Sequence, residues 1–156
     1  MEHGYAYVNG VRLHYVAEGR GRLILFAHGF PEFWYEWRRQ LAEFGRDHRA
    51  VAFDMRGYNL SSKPAEVAQY AVPHLVADLR ALVEHLGYRR FVLVGHDWGG
   101  VVAWAFAIAH PDWLDRLVIV NAPRTDTSLA VKSTRSPGAP PSFATVQSCS
   151  TSVRAG

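Results

Sequence analysis

Residues 91–109 constrain this chain more than any other stretch. Phe91-Val92-Leu93-Val94 runs into Gly95-His96-Asp97-Trp98-Gly99-Gly100, and nine apolar residues, 101–109, follow before His110-Pro111. An apolar strand, a glycine-flanked turn and a buried helix are the reading of that pattern. In such an elbow the central residue is forced into a strained turn, and its side chain stands out at the carboxyl end of the strand. Gly95 and Gly99 suit the flanks, because a Cβ at either place clashes as helix and strand approach. Asp97 holds the centre, where serine is the usual residue. A carboxylate is charged at neutral pH and needs no base in order to attack.

The rest of the chain supplies a frame for that elbow. Tyr5-Ala6-Tyr7-Val8 and Val11-Arg12-Leu13-His14-Tyr15-Val16 flank Asn9-Gly10, the pair that favours a two-residue hairpin turn. Leu23-Ile24-Leu25-Phe26 reads as a strand covered on both faces and leads into Ala27-His28-Gly29-Phe30-Pro31. Trp34, Trp37, Leu41 and Phe44 recur at helical spacing up to Gly45. Ala50-Val51-Ala52-Phe53 is a further strand, ending in the loop Asp54-Met55-Arg56-Gly57-Tyr58-Asn59. Pro73 opens a helix with Leu75, Val76, Leu79, Leu82, Val83 and Leu86 on one face, and Gly87 closes it. After the elbow helix comes a strand over residues 117–120.

Strands and helices alternate after the first hairpin, which predicts an α/β fold with a mostly parallel sheet and flanking helices. Ligands of such sheets sit beyond the carboxyl ends of the strands. The loops that begin at His28, Asp54 and Asp97 each follow a strand and converge there.

Composition narrows the classes. The net charge is only +3, and adjacent basic pairs are confined to Arg38-Arg39 and Arg89-Arg90, which is no nucleic-acid stripe. The longest apolar run, residues 101–109, is far short of the ~20 residues that span a bilayer. One cysteine, Cys149, allows no internal disulfide, and the first residues carry no basic and apolar leader. A cytoplasmic protein without nucleic-acid or membrane partner, metal or cofactor is expected; the sequence fixes no oligomeric state.

These residues together resemble the epoxide hydrolases of the α/β-hydrolase superfamily, over roughly residues 5–123. The likeness is carried by His28-Gly29-Phe30-Pro31-Glu32 with Trp34-Tyr35-Glu36-Trp37-Arg38, by Asp54-Met55-Arg56-Gly57-Tyr58, and by Gly95-His96-Asp97-Trp98-Gly99-Gly100, in the family's order. The resemblance implies the α/β-hydrolase fold and a two-step displacement on a small apolar epoxide. Asp97 would form a covalent alkyl ester that water then hydrolyses to a diol, with the backbone N–H groups of Phe30 and Trp98 facing the tetrahedral oxyanion. His28 is expected to stabilise its turn rather than move protons. His96 is expected to point away from Asp97, Asp54 and Arg56 to bind loop backbone or each other, and Trp34 and Trp37 to lie in the core. Trp98 is expected either to pack on the pocket wall or to touch substrate. Where the family commonly has glycine, Asn59 tolerates the same positive φ.

The likeness has gaps. Family members go on to add a helical cap with two tyrosines that protonate the epoxide oxygen, then an acid and a histidine that activate water. Residues 121–156 contain no histidine and no tyrosine. Residues 1–123 therefore read as the N-terminal portion of an α/β-hydrolase domain, without cap or C-terminal strands. Residues 124–156, rich in Ser, Thr and Pro, read as a disordered or aberrant tail. The 156-residue chain is expected to be inactive and, with the strand at 117–120 as an open edge, aggregation-prone or in need of a partner. The alternatives are a haloalkane or haloacid dehalogenase of the same fold, or a non-catalytic interaction module.

Overall fold

A computed structural model of the chain describes residues 1–122 and the strand Ser142–Val146. Its strands and helices follow in the order β1 (Glu2–Val8), β2 (Val11–Glu18), β3 (Leu23–Ala27), α1 (Arg38–Phe44), β4 (Arg49–Phe53), α2 (Val72–His85), β5 (Phe91–His96), α3 (Trp98–Ala109), β6 (Leu114–Val120) and β7 (Ser142–Val146). The sheet runs β1-β2-β4-β3-β5-β6-β7. β1, β2 and β4 pair antiparallel, and every pairing from β4 through β3, β5 and β6 to β7 is parallel. The alternating pattern thus gives the expected α/β sheet.

Turn chemistry fixes its first edge. Asn9 and Gly10 both take positive φ, 49° and 74°, so β1 and β2 close tightly with Val8 opposite Val11. Pro73 lies in the first turn of α2, and Gly87 just beyond its end takes φ 85°. The helix expected from Trp34 onward is split: Trp34–Trp37 is a 3-10 turn and α1 follows it. Trp37 is buried in the core and Trp34 packs beside it.

Side chains divide between the two faces of the sheet by the two-residue strand period. Ile24, Phe26, Ala50, Ala52 and Val94 meet Trp37 and Leu41 on one side. Leu23, Leu25, Val51, Phe53, Leu93 and Ile119 meet Leu79, Leu82 and Phe106, from α2 and α3, on the other. All five residues of β3 are buried, as its unbroken apolar run requires. Truncating a fully buried side chain such as Leu79 removes about 2–5 kcal/mol.

The end of the sheet departs from expectation. The strand expected at 117–120 begins at Leu114, and it is not an edge: β7 pairs with it, from Arg116 opposite Ser142 to Val120 opposite Val146. Five residues of the stretch expected to be a disordered or aberrant tail therefore form a strand. Its apolar residues are too sparse to show periodicity, but β6 presents a row of unpaired N–H and C=O groups on which a short segment can pair. The remainder of that stretch lies outside the described residues. On the far side of α3, Ile108 is 47% exposed. Among the described residues no helix is long and apolar enough to cross a membrane.

Candidate active site

The β5–α3 elbow has the strained geometry that its sequence predicts. Asp97 takes φ 48° and ψ −115°, a conformation that costs a non-glycine residue about 1–3 kcal/mol. The glycines allow it. A Cβ on Gly95 would lie 2.5 Å from the Gly99 carbonyl oxygen, and one on Gly99 would lie 2.4 Å from that of Ala27. Gly100 is closed in as well, by Ala122 at 2.4 Å. The first turn of α3 therefore sits directly on the end of β3, and Gly99 N–H donates to the His28 carbonyl at 3.1 Å.

This approach brings the His28 loop against Asp97. Phe30 N–H donates to Asp97 Oδ2 at 3.0 Å. Together with the Trp98 N–H it holds the Asp97 carboxyl below the ordinary carboxylate range. Gly29 is required here, since its Cβ would stand 2.9 Å from both Asp97 Cβ and His96 Nδ1. The Phe30–Pro31 peptide is cis. Asp97, Phe30, Trp98, Tyr58 and Val101 line an open recess of about 420 Å³. Another recess, of about 470 Å³, lies at the opposite ends of β3 and β5 around Gly21, Arg22, Tyr88, Arg90 and Asp115, away from all three motif loops.

The histidines face elsewhere. His28 is fully buried; its Nδ1 lies 2.8 Å from the Gly29 carbonyl and its Nε2 accepts Met55 N–H at 3.1 Å, which places the proton on Nδ1. Burial lowers its pKa, so the ring stays neutral and ties the β3 and β4 loops together. His96 turns from Asp97 toward the carboxylates of Glu36 and Glu32, with Nδ1 at 2.6 and 3.4 Å. The 2.6 Å contact is out of line for a directed hydrogen bond, and Nδ1 is sealed from solvent. A carboxylate oxygen from each of Glu32 and Glu36 and a ring nitrogen of His96 lie within 4.8 Å of one another.

The β4 loop is saturated. Asp54, fully buried, takes Trp34 N–H at 2.9 Å, Asn59 Nδ2 at 2.9 Å and His14 Nδ1 at 2.7 Å. Arg56 forms a two-pronged pair with Asp78 of α2, 2.8 Å on each arm, and adds Gln69. Asn59 does take positive φ, 40°.

Two participants escaped the sequence reading. Tyr58 was legible only as part of a loop motif, yet it lines the recess; burial and the Asp97 charge raise its pKa, so it keeps its proton. Glu36 stands in the sequence only as part of the Trp34–Arg38 motif, yet its Oε2 accepts Gly29 N–H at 3.1 Å. Its spacing four residues from Glu32, beside the Gly29 loop, was the available signal. Trp98 both lines the recess and packs against the main core.

Comparison with known proteins gives the family to which this fold belongs. A family described as alpha/beta hydrolase fold matches residues 22–142, extending beyond position 123. Epoxide hydrolase 1 of Caenorhabditis elegans is 51% identical over 122 residues, 77% of this chain and 30% of that protein. The crystal structure of an epoxide hydrolase from Vigna radiata is similar with a TM-score of 0.77 at 40% identity, over 79% of this chain and 39% of that one. That of a Bacillus megaterium epoxide hydrolase in complex with an inhibitor gives 0.76 at 48% identity, over 77% and 42%. The chain spans about a third of the length of the curated relatives it matches.

Proposed function

Because the chain belongs to the α/β-hydrolase family, we propose that it carries the nucleophile side of an epoxide-hydrolase site, with Asp97 as the attacking group. The observation that carries this reading is the position of Asp97: a positive-φ elbow, a carboxylate held by Phe30 N–H at 3.0 Å, and an apolar recess in front of it. The oxygen held by backbone donors is set to become the carbonyl oxygen of an ester. The other oxygen attacks an epoxide carbon, the ring C–O bond breaks, and the alkoxide takes a proton from water in the open recess. Water then adds to the ester carbonyl, the negative charge passes to the oxygen facing the Phe30 and Trp98 amides, and collapse releases a diol and the carboxylate.

A small apolar epoxide suits a recess walled by Phe30, Trp98, Tyr58 and Val101. The relatives' names support an epoxide over a halogenated substrate. The second step needs a base that these residues do not provide. His28 is tied to Gly29 and Met55, His96 faces Glu36, and residues 121–156 hold no histidine. The 156-residue chain is therefore inactive in multiple turnover, and any ester it forms persists.

Incubation with excess styrene oxide tests both parts. Intact-mass measurement should find a stable adduct on the chain, absent from freshly prepared Asp97→Asn, and no accumulating diol above the buffer rate. An undiminished adduct in Asp97→Asn would remove Asp97 as nucleophile. Diol formation over many turnovers, lost in Asp97→Asn, would show that another residue supplies the base.

A further inference from the structure

Behind the peptide that carries Phe30 lies a group of side chains that the proposed reaction does not use. Glu36 Oε2 accepts Gly29 N–H at 3.1 Å, while Glu36 Oε1 lies 2.6 Å from His96 Nδ1. Glu32 Oε2 lies 3.4 Å from the same nitrogen. Glu32 Oε2 and His96 Nδ1 are both sealed from solvent and lack a directed hydrogen bond. Gly29 makes the cluster possible, since its Cβ would meet His96 Nδ1 at 2.9 Å and Glu32 Oε2 at 3.3 Å. Trp37 closes one side, its ring edge-on to His96 with centroids 6.5 Å apart.

Two carboxylates and an imidazole packed this closely are not stable with both acids charged and the ring neutral. At least one proton has to be shared among them. The other charged or titratable groups nearby do not replace it. Asp97, next to His96, is itself an anion, and neutral His28 faces the Gly29 carbonyl. Arg38, which opens α1 just after the turn that carries Glu36, is turned to the Tyr35 carbonyl and ring.

We propose that Glu36 is a positioning residue: through Gly29 and His96 it braces the immediate neighbours of both Phe30 and Asp97, and the proton it shares with Glu32 and His96 maintains that brace. The inference deepens the reading of Phe30 N–H as an oxyanion donor and rests on it for its catalytic meaning. Burial and the neighbouring Glu32 carboxylate push the Glu36 carboxyl up to about 7. Below that pH a neutral Glu36 holds Gly29 without adding charge. Above it a second anion stands behind the peptide that must face a developing negative oxygen, which weakens the site for its proposed task.

The test needs no epoxide, so its outcome is independent of whether Asp97 reacts. In the isotope-labelled 156-residue chain, side-chain carboxyl carbons and backbone amides are followed by NMR from pH 5 to pH 9. The Glu36 carboxyl carbon should titrate with a midpoint near 7, and the Gly29 and Phe30 amides should shift with the same midpoint. Glu36→Gln keeps an acceptor for Gly29 N–H but has no proton to lose; both amides should then lose that transition while remaining protected from exchange. Glu32→Gln should move the midpoint downward, because the neighbouring carboxylate helps to hold the proton. A Glu36 carboxyl titrating near 4.5 would overturn the proposal, as would an unchanged amide transition in folded Glu36→Gln, which could not then come from Glu36. If Glu36→Gln does not fold, the wild-type carboxyl titration decides the question.

Discussion

The loops after β4 and β5 both place a carboxylate at the same end of the sheet, but they treat it in opposite ways. Asp54 is fully buried and bound by His14, Trp34 N–H and Asn59, and its neighbour Arg56 is locked to Asp78. Asp97 is only half-buried, sits on strained backbone and faces an open recess. The hydrogen bonds of Asp54 fasten three segments together. Those of Asp97 come from backbone amides that leave the carboxylate accessible. A saturated acid is a structural element, whereas one held from behind and open in front is available for chemistry.

Breaking the saturated side should have the largest effect. Arg56→Ala leaves Asp78 as an unpaired buried charge, and urea denaturation should show a loss of about 3–5 kcal/mol. A loss below ~1 kcal/mol would mean that water reaches Asp78 and that the pair is not a fastening. On the open side the sign reverses. Asp97→Gly relieves the positive φ and should raise stability by about 1 kcal/mol while abolishing adduct formation. A destabilised Asp97→Gly would instead give Asp97 a structural role.

The smallest effect is the pH dependence of the link between the β3 and β4 loops. Burial lowers the His28 pKa below 6.5, so the unfolded chain binds a proton there more readily than the folded chain. The stability contributed by neutral His28 is complete above pH 6.5 and is lost as pH falls from 6.5 toward the folded value. Denaturation midpoints at pH 7.5 and 5.5 should therefore differ less in His28→Gln than in the wild type. An equal difference in both would place the acid sensitivity elsewhere.

How far each region could be read from sequence follows from how local its causes are. The Asn9-Gly10 turn and the Gly95–Gly99 elbow are short-range steric facts, and both are where the residues put them. Asp97 was legible for that reason. The roles of Asp78 and Tyr58 were not, because the first meets Arg56 across the fold and the second meets Asp97 across a recess. Glu36, flanked by Trp34 and Trp37, carries no local signal of its contact; only the approach of the Gly29 loop turns it inward. β7 was hidden in the same way, since five residues with little pattern become a strand only beside the open edge of β6. Local geometry announced the strained, exposed carboxylate proposed as nucleophile, and long-range packing supplied what surrounds it.

The contrast between the two loops reduces to which acid an epoxide can reach. The folded chain is exposed to a small excess of a water-soluble epoxide at neutral pH, digested, and mapped by peptide mass spectrometry for ester adducts on Asp54, Asp78 and Asp97. The account predicts adduct on Asp97 with Asp54 and Asp78 unlabelled, and labelling of all three once the chain is unfolded in urea. Labelling of Asp54 or Asp78 in the folded chain while Asp97 is spared would contradict it.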